Sequence, residues 1–260
     1  MQLSIIIPCY NEFERLPLSS FEHFISKYPD LRLCFVNDGS KDKTGFILDS
    51  FAQQNPVNVT IVHLSKNQGK GEAVRQGMCL MMANFQTNYL CYLDADLSSP
   101  LEEVIRLLSA MEEQKQLLCT FGSRVSVFGS QINRLTYRHY GGRVIATMID
   151  MVLKLSIYDT QCGLKMFHRN LAKEIFNTPF LSRWLFDVEI FAKMKLLYSL
   201  RELSSIMREI PINEWTEKGD SKVTFKDVLR VPFTLLKIKG KYKSEPNLSF
   251  KKMNLKYYLF

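Results

Sequence analysis

Short runs of consecutive apolar, β-branched residues punctuate the first half of the chain at residues 3–7, 31–36, 59–64, 89–93 and 117–122. Each is too short for a buried helix, and each stops at a polar or turn-forming segment, so each predicts a strand buried on both faces. Between them, residues 18–27, 45–54, 71–83 and 100–114 carry helical spacing. Strand and helix in alternation predict a mostly parallel sheet covered by helices on both faces.

The second half is less regular. Residues 132–155 read as one helix, 159–167 as a loop entering a strand, 179–200 as containing a further helix, and 209–212 as a short strand. Residues 225–239 are amphipathic but contain Pro232, which predicts a kinked or broken helix. No apolar run reaches the ~18–20 residues that span a bilayer, and the N-terminus enters the first strand without a basic leader. The expectation is a chain without signal peptide or membrane anchor. Six cysteines at 9, 34, 79, 91, 119 and 162 stand singly in apolar surroundings, which fits reduced thiols and a cytoplasmic setting. His23, His63, His139 and His168 lack zinc-ligand spacing.

Charge changes the picture at the C-terminus. Residues 222–260 hold ten Lys/Arg against two acids, a net of +8, which equals the formal charge of the whole chain. Residues 1–221 are therefore neutral in sum, and the tail calls for an anionic partner. Outside the tail, basic and aromatic residues are not interleaved as a nucleic-acid surface requires, so an anionic membrane surface is the expected partner. The division expected is an α/β domain over 1–222 and a basic amphipathic tail over 223–260.

Polar segments follow the strands, where an open α/β sheet places its ligands. Asp94-Ala95-Asp96 ends the fourth strand, and two carboxylates so spaced can share a hard divalent cation, or simply sit in a solvated turn. Pro8-Cys9-Tyr10-Asn11-Glu12 ends the first; Tyr10 can stack on a base and Glu12 accept from a ribose or base edge, although a helix-initiating turn has the same composition. Asn37-Asp38-Gly39-Ser40 gives a turn with an acid after the second. Asn67-Gln68-Gly69-Lys70-Gly71 resembles a phosphate cradle but lacks P-loop spacing, which argues against an NTPase.

In this order the four loops, closing at Gly122-Ser123-Arg124, resemble the family 2 glycosyltransferases of GT-A fold, a Rossmann-like α/β architecture. The resemblance implies that the first loops hold a nucleotide, with Asp38 at the base, and that Asp94 and Asp96 bind Mg²⁺ or Mn²⁺. It assigns donor binding to Pro8, Tyr10, Glu12, Asp38, Lys70, Asp94, Ala95 and Asp96. Residues 159–167 (DTQCGLKMF), 183–189 (RWLFDVE) and 215–222 (WTEKGDSK) look like the dolichyl-phosphate β-glucosyltransferase branch. Ser98 departs from the related synthases, which carry Gln there.

The implied reaction is inverting transfer of a hexose, glucose from UDP-glucose, to an undecaprenyl- or dolichyl-type polyprenyl phosphate at the cytoplasmic membrane face. Such an acceptor is already an oxyanion and needs cations to position it, for which Arg134, Arg138 and Lys222 are candidates. Asp96 and Asp187 complete the catalytic set, with Asp187 and Glu189 diverging if they lie on a helix. Two other readings stand beside this one: transfer to a hydroxyl of a polysaccharide or lipid glycan, which would make Asp187 a base, and a non-catalytic nucleotide-sugar-binding partner.

Overall fold

The computed structural model describes residues 2–133, 136–218 and 225–243, with the side chains of 133, 136–140 and 225–227 outside that description. Nine strands and nine helices are present among the described residues. The first half alternates as expected: β1 (Leu3–Cys9), α1 (Leu18–Lys27), β2 (Arg32–Asn37), α2 (Thr44–Gln54), β3 (Val59–His63), α3 (Lys70–Asn84), β4 (Tyr89–Leu93), α4 (Glu102–Glu113) and β5 (Cys119–Ser123). The second half comprises β6 (Gln131–Asn133), α5 (Thr136–Leu153), β7 (Leu164–His168), α6 (Arg169–Phe176), α7 (Phe186–Leu197), α8 (Leu200–Ile206), β8 (Met207–Pro211), β9 (Glu214–Thr216) and α9 (Phe225–Lys241).

Seven strands form one sheet in the order β3-β2-β1-β4-β7-β5-β8. β1 to β4 run parallel, so their C-terminal ends and the loops that follow lie on one edge. β7 enters antiparallel between β4 and β5, placing Lys165 opposite Tyr92. Alternation along each strand divides the apolar residues between the two faces. Ile5, Ile7, Leu33, Phe35, Cys91 and Leu93 pack toward α1, α2 and α4. Ile6, Cys34, Val36, Leu90 and Tyr92 pack toward α3, α6 and α7 on the other side.

Two expectations for the second half change. The helix expected from residue 132 begins at Thr136, because residues 131–133 form β6, which pairs in parallel with β9. The region 179–200 contains a helix as expected, α7, and a separate α8 follows it, whose N-terminus Ser199 and Glu202 close with a capping box. Pro232 does not break α9, which runs from Phe225 to Lys241 as one helix. The proline cannot donate to the carbonyl of Val228, and that residue lies on partly exposed helix surface where water can serve the freed group.

α9 is apolar on two opposite sides. Val231, Leu235 and Ile238 are buried in the core formed with α5 and α7. Leu229, Phe233 and Leu236, at i, i+4 and i+7, point outward at 58%, 69% and 63% exposure. No helix among the described residues is long and apolar enough to cross a membrane.

Candidate functional site

Because β1, β2 and β4 are parallel neighbours, their terminal loops meet, and backbone N–H groups knit them together. Asn11, held at a positive φ of 49°, donates its N–H to Ser40 Oγ (3.0 Å) and receives the Lys41 N–H on Oδ1 (2.9 Å). The Glu12 N–H donates to Thr44 Oγ1 at 2.8 Å, so the loops after β1 and β2 form one unit. Tyr10 sits half-buried in it. Pro8 lies within β1 itself, paired with Val36. The Glu12 carboxylate, placed in the sequence reading toward a ribose or base, receives the Arg15 guanidinium on both oxygens.

Asp38 joins the second loop to the third. It is buried, and its two oxygens accept the N–H groups of Gln68 (2.6 Å) and Gly69 (2.8 Å). Burial raises its pKa above the ordinary aspartate value, against the two N–H donors and Arg183, which favour the charged form. Gly69 adopts φ +97°, and a Cβ there would lie 2.6 Å from Arg183 Cβ. The loop before α7 therefore backs directly onto this segment. Arg183 reinforces the contact by donating to Asn67, and its carbonyl accepts the Gly71 N–H at 3.0 Å.

Asp94, Ala95 and Asp96 follow β4, with Ala95 buried and both carboxylates at the site. Asp96 Oδ1 accepts both the N–H (2.9 Å) and the hydroxyl (2.8 Å) of Ser98, so the serine that replaces Gln orients this carboxylate. Burial first, then the proximity of Asp94, raises the Asp96 pKa. Lys70, the first residue of α3, forms an ion pair with Asp94 Oδ1. Burial opposes the Lys70 charge, but Asp94, Asp187 and Asp96 outweigh it and hold its pKa above the usual lysine value. The Thr216 N–H of β9 donates to Ser98 O (3.0 Å), so the small β6–β9 ladder is tied to this loop.

Asp187 and Glu189 diverge on α7. Asp187 Oδ1 accepts from Lys165 Nζ (2.6 Å) and from the Tyr92 hydroxyl, both fully buried. Glu189 turns the other way and accepts the N–H groups of Leu181 (2.8 Å) and Ser182 (2.7 Å). Arg124 lies nearby under the electrostatic influence of Asp94, held by Asp159 through its backbone N–H and guanidinium, 5.5 Å over the Trp215 ring.

The structure thus brings together Tyr10, Glu12, Asp38, Lys70, Asp94, Ala95, Asp96 and Asp187. Arg134 and Lys222 lie outside the described residues, and Arg138 falls in α5 with its side chain outside them. Lys165 and Gly163 entered the sequence reading only as part of the 159–167 stretch, without a role of their own, and Tyr92 and Arg15 were not singled out. A lysine inside the apolar run Leu164–His168 is the signal that marks the first of them.

A family model described as "Glycosyl transferase family 2" matches residues 4–176. Dolichyl-phosphate beta-glucosyltransferase from Dictyostelium discoideum is 32% identical over 258 residues, covering 90% of this chain and 75% of its own length. The Homo sapiens protein of that name is 30% identical over 259 residues, covering 93% and 76%. Among solved structures, glucosyl-3-phosphoglycerate synthase from Mycobacterium tuberculosis, in complex with Mn²⁺ and UDP-glucose, superposes with a TM-score of 0.67 at 16% identity, covering 92% of this chain and 79% of that one. Mannosyl-3-phosphoglycerate synthase from Rubrobacter xylanophilus gives 0.68 at 13% identity, covering 93% and 73%. At these identities the structural likeness speaks to the fold, which is of GT-A type.

Proposed function

Since the chain belongs to glycosyl transferase family 2, we propose that it transfers glucose from UDP-glucose to a polyprenyl phosphate, with inversion, at the cytoplasmic face of a membrane. The observation that carries this reading is the convergence of Asp38, Lys70, Asp94 and Asp96 on one sheet edge, in a chain whose relatives bear the dolichyl-phosphate beta-glucosyltransferase name. The Asp38 loop and Tyr10 hold the nucleoside. Lys70 faces the diphosphate, and its ion pair with Asp94 keeps it charged for that role.

The donor set suits Mg²⁺ or Mn²⁺ within limits. Among the described residues no group of three or more His, Cys, Asp and Glu side chains comes together. Asp94 and Asp96 would therefore supply two carboxylates and leave the other positions to diphosphate oxygens and water, as Mg²⁺ accepts in nucleotide sites. Bound there, the cation would neutralise charge on the leaving UDP. Ser98 fixes Asp96 for this purpose.

The acceptor phosphate oxygen attacks the anomeric carbon from the side opposite the diphosphate. The bond from that carbon to UDP breaks, UDP departs with the bonding pair, and a β-linked glucosyl phosphate results. No proton has to leave the nucleophile. Asp187 fits such a reaction, because its Oδ1 is committed to two protein donors and anchors the site floor. Transfer to a hydroxyl would instead require it as a base. Arg134, Arg138 and Lys222 remain the candidate phosphate ligands.

The outer stripe of α9, Leu229, Phe233 and Leu236, is flanked by Arg230, Lys237, Lys239, Lys241 and Lys243. This pairing of apolar area with cations supports peripheral seating on an anionic membrane surface. The test is incubation of purified protein with UDP-glucose, UDP-galactose or GDP-mannose and either undecaprenyl or dolichyl phosphate. Glucosyl-phosphoryl-polyprenol from UDP-glucose is expected. Sugar transfer to hydroxyl acceptors only would overturn the reading.

A further inference from the structure

The segment Cys162–Lys165 stands out in the sequence, yet nothing in the proposed reaction uses it. Its structure gives it a task. The Asp94 carboxylate rests on the bare Cα of Gly163: a Cβ at that position would fall 2.7 Å from Asp94 Oδ1 and closer still to Cγ and Oδ2. The same two residues are joined through the backbone, where the Asp94 N–H donates to Gly163 O at 3.2 Å. Gly163 has no positive φ to explain the choice of glycine, so the requirement is for space.

What holds this seat in place lies beneath it. Lys165 is fully buried, and its ammonium donates to the Cys162 carbonyl (2.8 Å) and to Asp187 Oδ1 (2.6 Å). The Tyr92 hydroxyl converges on the same oxygen. A buried lysine–carboxylate pair is a poor source of stability, because desolvating both ions offsets most of their attraction. Here it fixes the peptide that precedes Gly163, from β7, against the strand that leads into Asp94. We propose that Gly163 and Lys165 are positioning residues for Asp94: Lys165 pins the Cys162 carbonyl, and the glycine leaves the volume in which the carboxylate turns toward Lys70 and the divalent cation. This rests on the reading of Asp94 as a metal-binding carboxylate.

The test is UDP binding by calorimetry, with Mn²⁺ and again with EDTA, for wild type, Gly163→Ala, Asp94→Ala and the double variant. Supporting features of remote groups that orient metal ligands are worth about 10–100-fold in metal affinity. Gly163→Ala should therefore lower UDP affinity by about that factor in Mn²⁺ and leave it unchanged in EDTA. In the double variant the loss should equal that of Asp94→Ala alone, because without the carboxylate there is nothing for the new methyl group to displace. Lys165→Met, read by the same two titrations, should lose Mn²⁺-dependent affinity in the same way. The inference is overturned if Gly163→Ala binds like wild type in Mn²⁺, if it weakens binding equally in EDTA, or if its effect adds to that of Asp94→Ala. Wild type gaining no UDP affinity from Mn²⁺, or Asp94→Ala losing none, would overturn the metal reading itself and the seat with it.

Discussion

Tyr242, one residue beyond α9, donates its hydroxyl to Glu189 on α7 at 2.9 Å. Glu189 is fully buried, and its other donors are the N–H groups of Leu181 and Ser182. The helix with the exposed apolar stripe is thereby bonded to the carboxylate that shapes the loop leading to Arg183. Burial and then the charge of Glu189 push the Tyr242 phenol well above its ordinary pKa, so it stays a donor through the alkaline range. Removing one donor from a buried carboxylate costs about 1.5–3 kcal/mol. Tyr242→Phe is expected to lower the urea midpoint accordingly with an unchanged m-value, and an unchanged midpoint would mean that the bond contributes nothing.

The carboxylates after β4 give a second expectation. Asp94→Asn or Asp96→Asn removes a negative charge from the proposed cation site, so glucosyl transfer should fall by orders of magnitude. Chelation with EDTA should abolish transfer, and Mg²⁺ or Mn²⁺ should restore it. Full activity in chelator would exclude the metal-assisted mechanism.

Lys193 supplies a pH-dependent one. Its ammonium donates to Ile175 O (2.5 Å), Thr178 O (3.0 Å) and Thr178 Oγ1 (3.1 Å) in a mostly buried position. Burial, assisted by Lys241 and Arg75 against the pull of Glu189, lowers its pKa from 10.5 to about 8. Between those values the unfolded chain binds more protons at this site than the folded one, so its contribution to stability rises with pH. Below about 8 both states are protonated and the slope vanishes. The stability difference between wild type and Lys193→Met, followed by urea denaturation from pH 7 to 10, should therefore grow in favour of wild type above about pH 8. A difference that is flat across that window would show an unshifted lysine.

The first half of the molecule was legible because its strands are short apolar runs, β1, β2 and β4 leading into the turns that carry Tyr10, Asp38 and Asp94, and because parallel strands put those ends on one edge. The loops that carry Asp38, Asp94 and Asp96 follow from that alone. What could not be read is which elements meet across the sheet. β7 inserts antiparallel between β4 and β5, and only this register brings Lys165 under Tyr92 and within reach of Asp187 on α7. β6 and β9 are three residues each and pair over a distance of about eighty residues in sequence, too short and too remote for periodicity to register. The start of α8 was available too, since Ser199-Leu200-Arg201-Glu202 spells a capping box, but the sequence reading placed only one helix within 179–200. The pairing of Glu12 with Arg15, three residues on, was likewise invisible without the fold.

The last expectation concerns α9. Its outward stripe of Leu229, Phe233 and Leu236 lies opposite the buried Val231, Leu235 and Ile238, so burying the stripe in a bilayer would leave the packing of the helix on the protein intact. Each cation near an anionic surface contributes about 1 kcal/mol. Charge reversal at Lys237, Lys239, Lys241 and Lys243 changes exposed positions and spares the core face. The variant should melt near the wild-type temperature and lose co-sedimentation with phosphatidylserine-containing vesicles. Wild-type binding should require anionic lipid and weaken as salt shortens the screening length. Replacing Phe233 and Leu236 by Ser tests the apolar half separately: binding should fall while its salt dependence persists, because the cations remain. If the charge-reversed protein sediments with anionic vesicles as well as wild type does, α9 is not the membrane contact.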